Sequence, residues 1–423
     1  MIKKSVRAAA PAMSESDQDF VAGAAALLQA SGESTAVTVS AVERMNQGLG
    51  TRFELVLGWT AVIVTDRSPH NPSPVRVVPA APTGISMRAV AVLMRTIDLL
   101  GDKAVGRSDL VGALGRARAV RPAGFWIFLL ACSTGAGSLA IIFGAQDATA
   151  VLLAAGSAAV GGAVRRLLGR AHVGPIGQVF AAAFLAGAVG GLAVQADLSS
   201  SLRLIAVCPA MILVPGPHVL NGALDLLALR IPLGLARLGY AALLLLSIGT
   251  GLAIALAIFG TDLPTDPAGR TVPFWLDVVA AAVAAASYPV YFSMPYRLIV
   301  WPVVVGAAAH GLRWWAMSIW DMNIVTGAFL ACLLVGSVLA PVAHRLHLPF
   351  AGIGFAAVVS LVPGVFVFRA IDAFDSLPFG GADPQLLGGI SDGTTAALII
   401  MAMAVGLAAP MHLYGQFRRG AHA

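Results

Sequence analysis

The chain has 423 residues, 58% hydrophobic and 11% charged, with a formal net charge of +6. So apolar a composition excludes an ordinary soluble globular protein. The small positive excess is scattered singly or in pairs with no basic tract, which excludes a nucleic-acid-binding surface.

The N-terminal Met1-Ile-Lys-Lys meets only a weak Ala-rich patch before Glu15, Asp17 and Asp19, so no cleavable signal peptide is expected. More than half of the 27 Lys and Arg residues precede Pro122. Residues 1–121 therefore read as a cytoplasmic domain ahead of a charge-poor membrane region. Within it the pattern predicts helices at Asp17–Ala30 and Ala36–Leu49 and a strand-like run at Arg52–Thr65. A Pro-rich turn at Ser68–Pro74, a short strand at Val75–Val78 and a helix at Ser86–Leu100 follow. The sum is a small α/β domain. It carries no Walker sequence, GxSxG or metal cluster, so neither an ATPase engine nor an enzyme is expected.

Beyond Pro122, apolar runs of roughly 18 to 25 residues suffice for about ten membrane-spanning helices. They are expected near Phe125–Phe143, Ala148–Val164, Ile176–Val194, Leu204–Leu229 and Leu238–Phe259. The second set is expected near Phe274–Phe292, Leu298–Met317, Asn323–Val342, Phe350–Phe374 and Thr394–Leu413. The seventh contains Arg313 and is either a span or a re-entrant segment. The fold class is thus an all-α polytopic membrane protein of about ten transmembrane helices, preceded by the small α/β domain. Positive charge supports this count: Arg165, Arg166, Arg170, Arg230, Arg237, Arg297, Arg345, Arg418 and Arg419 fall on one side, only Arg203, Arg270 and Arg313 on the other. By the positive-inside rule both ends are cytoplasmic, and the protein is expected in the cell membrane. Asp147, Asp197, Asp262, Asp266, Asp375, Asp383 and Asp392 are assigned to external connections. Cys132, Cys208 and Cys332 lie in apolar runs without CxxC spacing and read as buried small hydrophobes.

One tetrapeptide occurs twice inside apolar runs, Leu213-Val214-Pro215-Gly216 in the fourth helix and Leu361-Val362-Pro363-Gly364 in the ninth. Each is followed by an apolar half-helix and then an Asp, Asp225 and Asp372. Five helices per half is an odd number, so the second half enters with reversed polarity. Residues 122–260 and 261–423 read as an inverted repeat, an architecture typical of secondary transporters. Pro removes a backbone donor and Gly tolerates unusual dihedrals, so each helix is expected to kink or break there. A half-helix starting at Gly216 or Gly364 would turn its N–H groups and positive dipole end toward the midplane, suited to a carboxylate.

The run LVPGPHVLNGALDLLALRIPLGLARL, Leu213 to Leu238, resembles the first-half signature of the threonine/serine exporter (ThrE) family, and LVPG at Leu361–Gly364 resembles that of its second half. Asn221, Asp225, Gly234 and Arg237 match the family's pattern. The second half departs from it, with Arg369 where the first has Asn221 or Gly222. The resemblance implies a cytoplasmic domain followed by five plus five helices. It implies export of threonine or serine, or of dicarboxylates such as succinate, since related proteins have been linked to those.

Ionisable groups in membrane helices are costly, and their default reading is functional. Asp225 and Asp372 are candidate proton carriers, or interfacial caps and ion-pair partners; Arg369 is a candidate holder of one of them or of a substrate carboxylate. Pro215, Gly216, His218, Asn221, Pro363 and Gly364 complete the expected substrate site; among the ionisable groups, Asp277 and His218 are weaker candidates for a functional role. His344 and His347 read as part of a basic loop, not a metal site. Expected partners are a small amino or carboxylic acid, protons and the lipid bilayer, with no cofactor and no nucleic acid; a homo-oligomer is compatible with the sequence. The rival class is an integral-membrane enzyme or a non-transporting membrane sensor with the soluble domain as output, and a passive channel is a third.

Overall fold

The structure is a computed structural model that describes residues 16–67, 75–145, 147–198, 202–261, 272–375 and 383–420. The Ser68–Pro74 turn, Asp262, Asp266, Arg270 and the side chains of Arg203, Asp372, Asp375, Asp383, Arg418 and Arg419 lie outside the described residues.

The N-terminal part begins with α1 (Asp17–Ala30), started by a capping box in which Ser16 and Asp19 satisfy each other's end of the first turn. α2 (Thr35–Leu49) has Ser34 as its cap and stops at Gly50, whose φ of 69° closes the helix in the left-handed region. The expected strand over Arg52–Thr65 is instead a hairpin of β1 (Phe53–Leu57) and β2 (Ala61–Asp66), because Gly58-Trp59-Thr60 interrupts the run. β3 (Arg76–Pro79) pairs antiparallel with β2, Val62 opposite Val78, giving the order β1-β2-β3. The buried Gln29 amide on α1 donates to the carbonyls of Gly58 (2.6 Å) and Ala80 (2.9 Å), pinning the sheet to the helix. α3 (Met87–Gly101) and α4 (Arg107–Arg118) follow. α4 was not expected; its apolar stripe of Leu110, Ala113, Leu114 and Ala117 is narrow among charged neighbours, yet all four are buried.

The apolar region opens with α5 (Phe125–Ile142), α6 (Ala148–Arg170) and α7 (Pro175–Gln195). The fourth expected helix is broken into α8 (Leu202–Met211) and α9 (Gly216–Leu227), bent by 55°. Then come α10 (Ile231–Ile258), α11 (Phe274–Tyr291), α12 (Val300–Ser318) and α13 (Ile324–Leu346). The ninth expected helix is likewise broken, into α14 (Phe350–Val358) with a 3-10 turn at Val359–Leu361, and α15 (Gly364–Asp375), bent by 76°. α16 (Asp383–Gly420) is the last described element.

Among the described residues, 7 helices are long and apolar enough to cross a membrane, and up to 9 candidate spans result if each bent pair is one. The protein is a multi-pass membrane protein. The expected seventh helix, α12, is continuous over 19 residues but is not among the apolar candidates, since His310, Arg313 and three Trp residues interrupt its apolar run.

Several loop assignments change because helices run past their apolar cores. Arg165, Arg166 and Arg170 lie in the last turns of α6 and Arg345 in the last turn of α13, whereas Arg313 lies inside α12, within the expected seventh helix. Arg237 is in α10 and only 1% exposed, and Asp392 is in α16 and buried, so neither is a loop residue. A charged side chain extends a helix into the core when a partner neutralises it, and both have one, as described below.

Packing between these helices uses small residues. A Cβ at Gly336 on α13 would meet Leu407 O of α16 at 2.9 Å, and one at Gly406 on α16 would meet Phe329 O of α13 at 2.8 Å, so only glycine permits this backbone approach. The three cysteines are buried and form no disulfide with one another, as expected.

Candidate functional site

The two breaks pack against each other crosswise. The position of a Cβ at Gly216, in the first break, is filled by the ring of Phe355 from α14; a Cβ at Gly364, in the second, would lie 2.6 Å from Met211 Cγ of α8. Between them is an apolar gap of about 60 Å³, bordered by Val214, Gly216, Phe355, Val362, Pro363 and Gly364. Each half-helix therefore starts against the other broken span.

The expected free N–H groups at the start of α9 are in use. Gly216 N donates to Val214 O (2.9 Å), His218 N and Val219 N to Pro215 O (3.0 and 3.2 Å), and Pro217 has none to offer. The positive dipole end remains, but residues 216–219 keep no spare donor for a carboxylate.

The polar donors are instead on neighbouring helices. Pro215 and His218 border a cavity of about 260 Å³ that is also lined by Arg165 of α6, Tyr240 of α10 and Tyr288 and Tyr291 of α11. Thr83, Gly84 and Ile85 of the N-terminal part form another wall. Arg165 Nε and the Tyr240 hydroxyl are buried without a hydrogen-bond partner, while the Tyr291 hydroxyl interacts with the Cys132 thiol. The His218 ring stands edge-on to Tyr240 at 5.2 Å, and Tyr240 meets Trp59 of the β1–β2 turn at the same separation. A guanidinium Nε and a phenol left unsatisfied on the walls of one cavity are what a bound anion would satisfy. Arg165 and Tyr240 carried no motif; the only signal was a pair of arginines ending an apolar run.

The other expected residues separate into two further places. Asn221 Nδ2 donates to Gly32 O (3.1 Å), and Asp225 Oδ2 accepts from the Thr35 hydroxyl (3.0 Å), so both face the N-terminal part. Asp225, 3% exposed at its side chain, is paired with buried Arg237 (3.1 Å) and with Arg230 (3.6 Å). It borders a cavity of about 410 Å³ with Arg230, Ser34, Thr35 and His412. This is the ion-pair arrangement, joining α9, α10 and α2. Arg369 pairs with Asp392 of α16 at 2.9 Å and not with Asp225. Pro363 and Gly364 border only the apolar gap among these cavities, and the side chain of Asp372, on α15, is outside the described residues. His347 reaches Asp98 of α3 at 2.6 Å, so it docks the N-terminal part and no longer reads as a loop charge.

The threonine/serine exporter family model matches residues 19–259, and a second threonine/serine exporter model matches residues 277–413. The chain belongs to the threonine/serine exporter family. No solved structure matches it. Membership makes this a transmembrane transport protein of the amino-acid export class, which sets the cavity beside the first break in a transport context.

Glu33 sits at the exporter's junction between α1 and α2, 3% exposed. Burial pushes its carboxyl up to about 7 from 4.5, while the Ser34 N–H (2.7 Å) and Arg237 pull the other way. The folded value is the higher one, so the folded chain binds this proton more tightly. The stability that it contributes is full below pH 4.5 and lost as pH rises through about 7, at most about 3 kcal/mol. Glu33→Gln should remove that loss: the thermal midpoint of the variant in detergent should exceed wild type at pH 8 and converge with it at pH 4. Parallel pH profiles for the two proteins would contradict the assignment.

Proposed function

We propose that the protein is a secondary-active exporter of small amino acids, threonine or serine, driven by the proton gradient across the cell membrane. Two inverted five-helix repeats, 122–260 and 261–423, alternate access around the two Pro-Gly breaks, and both chain ends are cytoplasmic. The N-terminal α/β domain, 1–121, caps the cytoplasmic mouth. The observation that carries the reading is the cavity at the first break, where Arg165 Nε and the Tyr240 hydroxyl lack partners beside His218. Its volume of about 260 Å³ suits a solute of a few heavy atoms, and the Arg fork suits a carboxylate. The reciprocal contacts of Gly216 with Phe355 and Gly364 with Met211 support a moving junction shared by the halves. An amino acid's ammonium would turn to backbone carbonyls at the break, as in other transporters with discontinuous helices.

A second reading, export of a dicarboxylate such as succinate, is favoured by one feature: no Asp or Glu is among the residues lining that cavity. Efflux of labelled threonine, serine and succinate from preloaded vesicles, with and without a protonophore, decides between them. Saturable threonine or serine efflux abolished by the protonophore supports the first reading, and succinate efflux alone supports the second. No movement of any of the three turns the assignment toward a sensor. In the same assay Asp225→Asn separates a proton carrier from an ion-pair anchor. An anchor predicts a lowered thermal midpoint, since breaking a buried pair costs about 3 to 5 kcal/mol, with normal gradient dependence in whatever protein remains.

A further inference from the structure

A second buried polar cluster lies apart from the cavity at the first break. It joins α11, α12 and the 3-10 turn ahead of the second break. His310 of α12 is 1% exposed, and its Nε2 is 2.9 Å from Asp277 Oδ2 of α11. Its Nδ1 is 3.0 Å from the Ser360 hydroxyl. Ser360 is 3% exposed and Asp277 6%. One further ionic group faces the cluster: Arg313, one turn along α12, acts on both Asp277 and His310, and its buried Nε has no hydrogen-bond partner. From α13, among the described residues, Cys332 is the titratable neighbour, facing Arg313.

Packing alone does not call for such an arrangement. An aliphatic side chain at each of these positions would avoid burying an acid, a base and a hydroxyl in the apolar region, where each is costly. The three groups are also in line, with the imidazole bridging a carboxylate and a hydroxyl. In a neutral imidazole the ionised carboxylate can only accept, so Nε2 carries the hydrogen toward Asp277 and Nδ1 is the acceptor for Ser360. Nδ1 is therefore the one basic site open to a proton.

We propose that the Asp277–His310–Ser360 chain is the proton-binding site that couples substrate movement to the gradient, deepening the exporter reading on which it rests. A proton arriving on Nδ1 reverses the bond to Ser360: the imidazole donates, and the Ser360 hydroxyl hydrogen must turn to a new acceptor. Ser360 lies three residues before Pro363, in the turn that feeds the bend of 76°. Proton occupancy thus acts on the geometry of the second break, and through Gly364 and Met211 on the first. Asp277 orients the imidazole and stabilises its cationic form. Asp225, expected to carry the proton, is left as the anchor of α9 to α10 and α2.

The test uses the full chain in proteoliposomes with labelled threonine, serine or succinate. Two rates are compared: substrate-for-substrate exchange at equal pH, and accumulation driven by an imposed pH gradient. Exchange reports substrate binding and access; driven accumulation additionally requires proton binding. His310→Gln and Asp277→Asn are expected to retain exchange and to lose the response to the gradient. Ser360→Ala, a small change that should leave folding intact, is expected to retain exchange and shift the pH profile of driven accumulation. Wild-type-like gradient response in His310→Gln overturns the proposal and leaves the exporter reading intact. So does an unshifted pH profile in Ser360→Ala, or accumulation by the wild type that follows a sodium gradient in place of a pH gradient. A wild-type protein that exchanges none of the three substrates overturns the exporter reading, and this inference with it.

Discussion

Gly216→Ala is expected to abolish efflux from a chain that still inserts. The added methyl would occupy the same space as the ring of Phe355, and a phenylalanine buried between α9 and α14 cannot yield by rotating a flexible end. Inserting one carbon into a packed site costs about 1 to 3 kcal/mol. Here the strain falls on the contact between the two broken spans, so the loss should appear in flux before it appears in insertion. Gly364→Ala offers a graded comparison, because its clash is with Met211, whose unbranched side chain can move aside. The expected order of efflux is wild type, then Gly364→Ala, then Gly216→Ala. Combining Gly216→Ala with Phe355→Leu should recover part of the flux, a non-additivity that marks direct contact. Normal efflux by Gly216→Ala would remove the crossed breaks from the mechanism.

Arg165→Ala should produce the second large effect, a loss of carboxylate affinity without loss of fold. Removing one partner of a buried charge pair costs about 2 to 5 kcal/mol, so the concentration giving half-maximal efflux should rise by at least about 30-fold. Arg165→Lys keeps the charge and loses the planar fork, and an intermediate affinity is expected. Tyr240→Phe removes one hydroxyl and should cost about 1 kcal/mol. Arg166→Ala is the control. Arg166 does not itself line the cavity: it donates to Ala123 O at 2.8 Å and lies over the ring of Phe128, a wall residue, at 4.2 Å. Equal effects from Arg165→Ala and Arg166→Ala would mean that charge at the end of α6, and not the cavity, sets affinity.

Much of the architecture was legible in local patterns. α1, α5 and α11 start at the expected residues because capping residues and the edges of apolar runs are local signals. Both breaks were legible as Pro-Gly, since the missing donor and the backbone clash act within one turn. What changed was where helices end. α6 continues through Arg165, and α10 begins before Arg237, whose charge finds a partner in Asp225 and so does not terminate the helix.

The candidate site was less legible for the same reason. His218 and Pro215 were named from their place at the break, and they do border the polar cavity. Arg165, Tyr240, His310 and Ser360 were not, because each belongs to a helix or turn remote in sequence from its partners, and their meaning is a distance, not a motif. By itself the sequence determined that this chain enters a membrane, breaks two helices at Pro-Gly and resembles an exporter; all three follow from composition and from residues within a few turns of each other. Only the tertiary structure decided which polar atoms are left unpaired and which are joined. Side-chain pairing across helices separated by up to 249 residues, as between Asp98 and His347, depends on packing that no local pattern encodes.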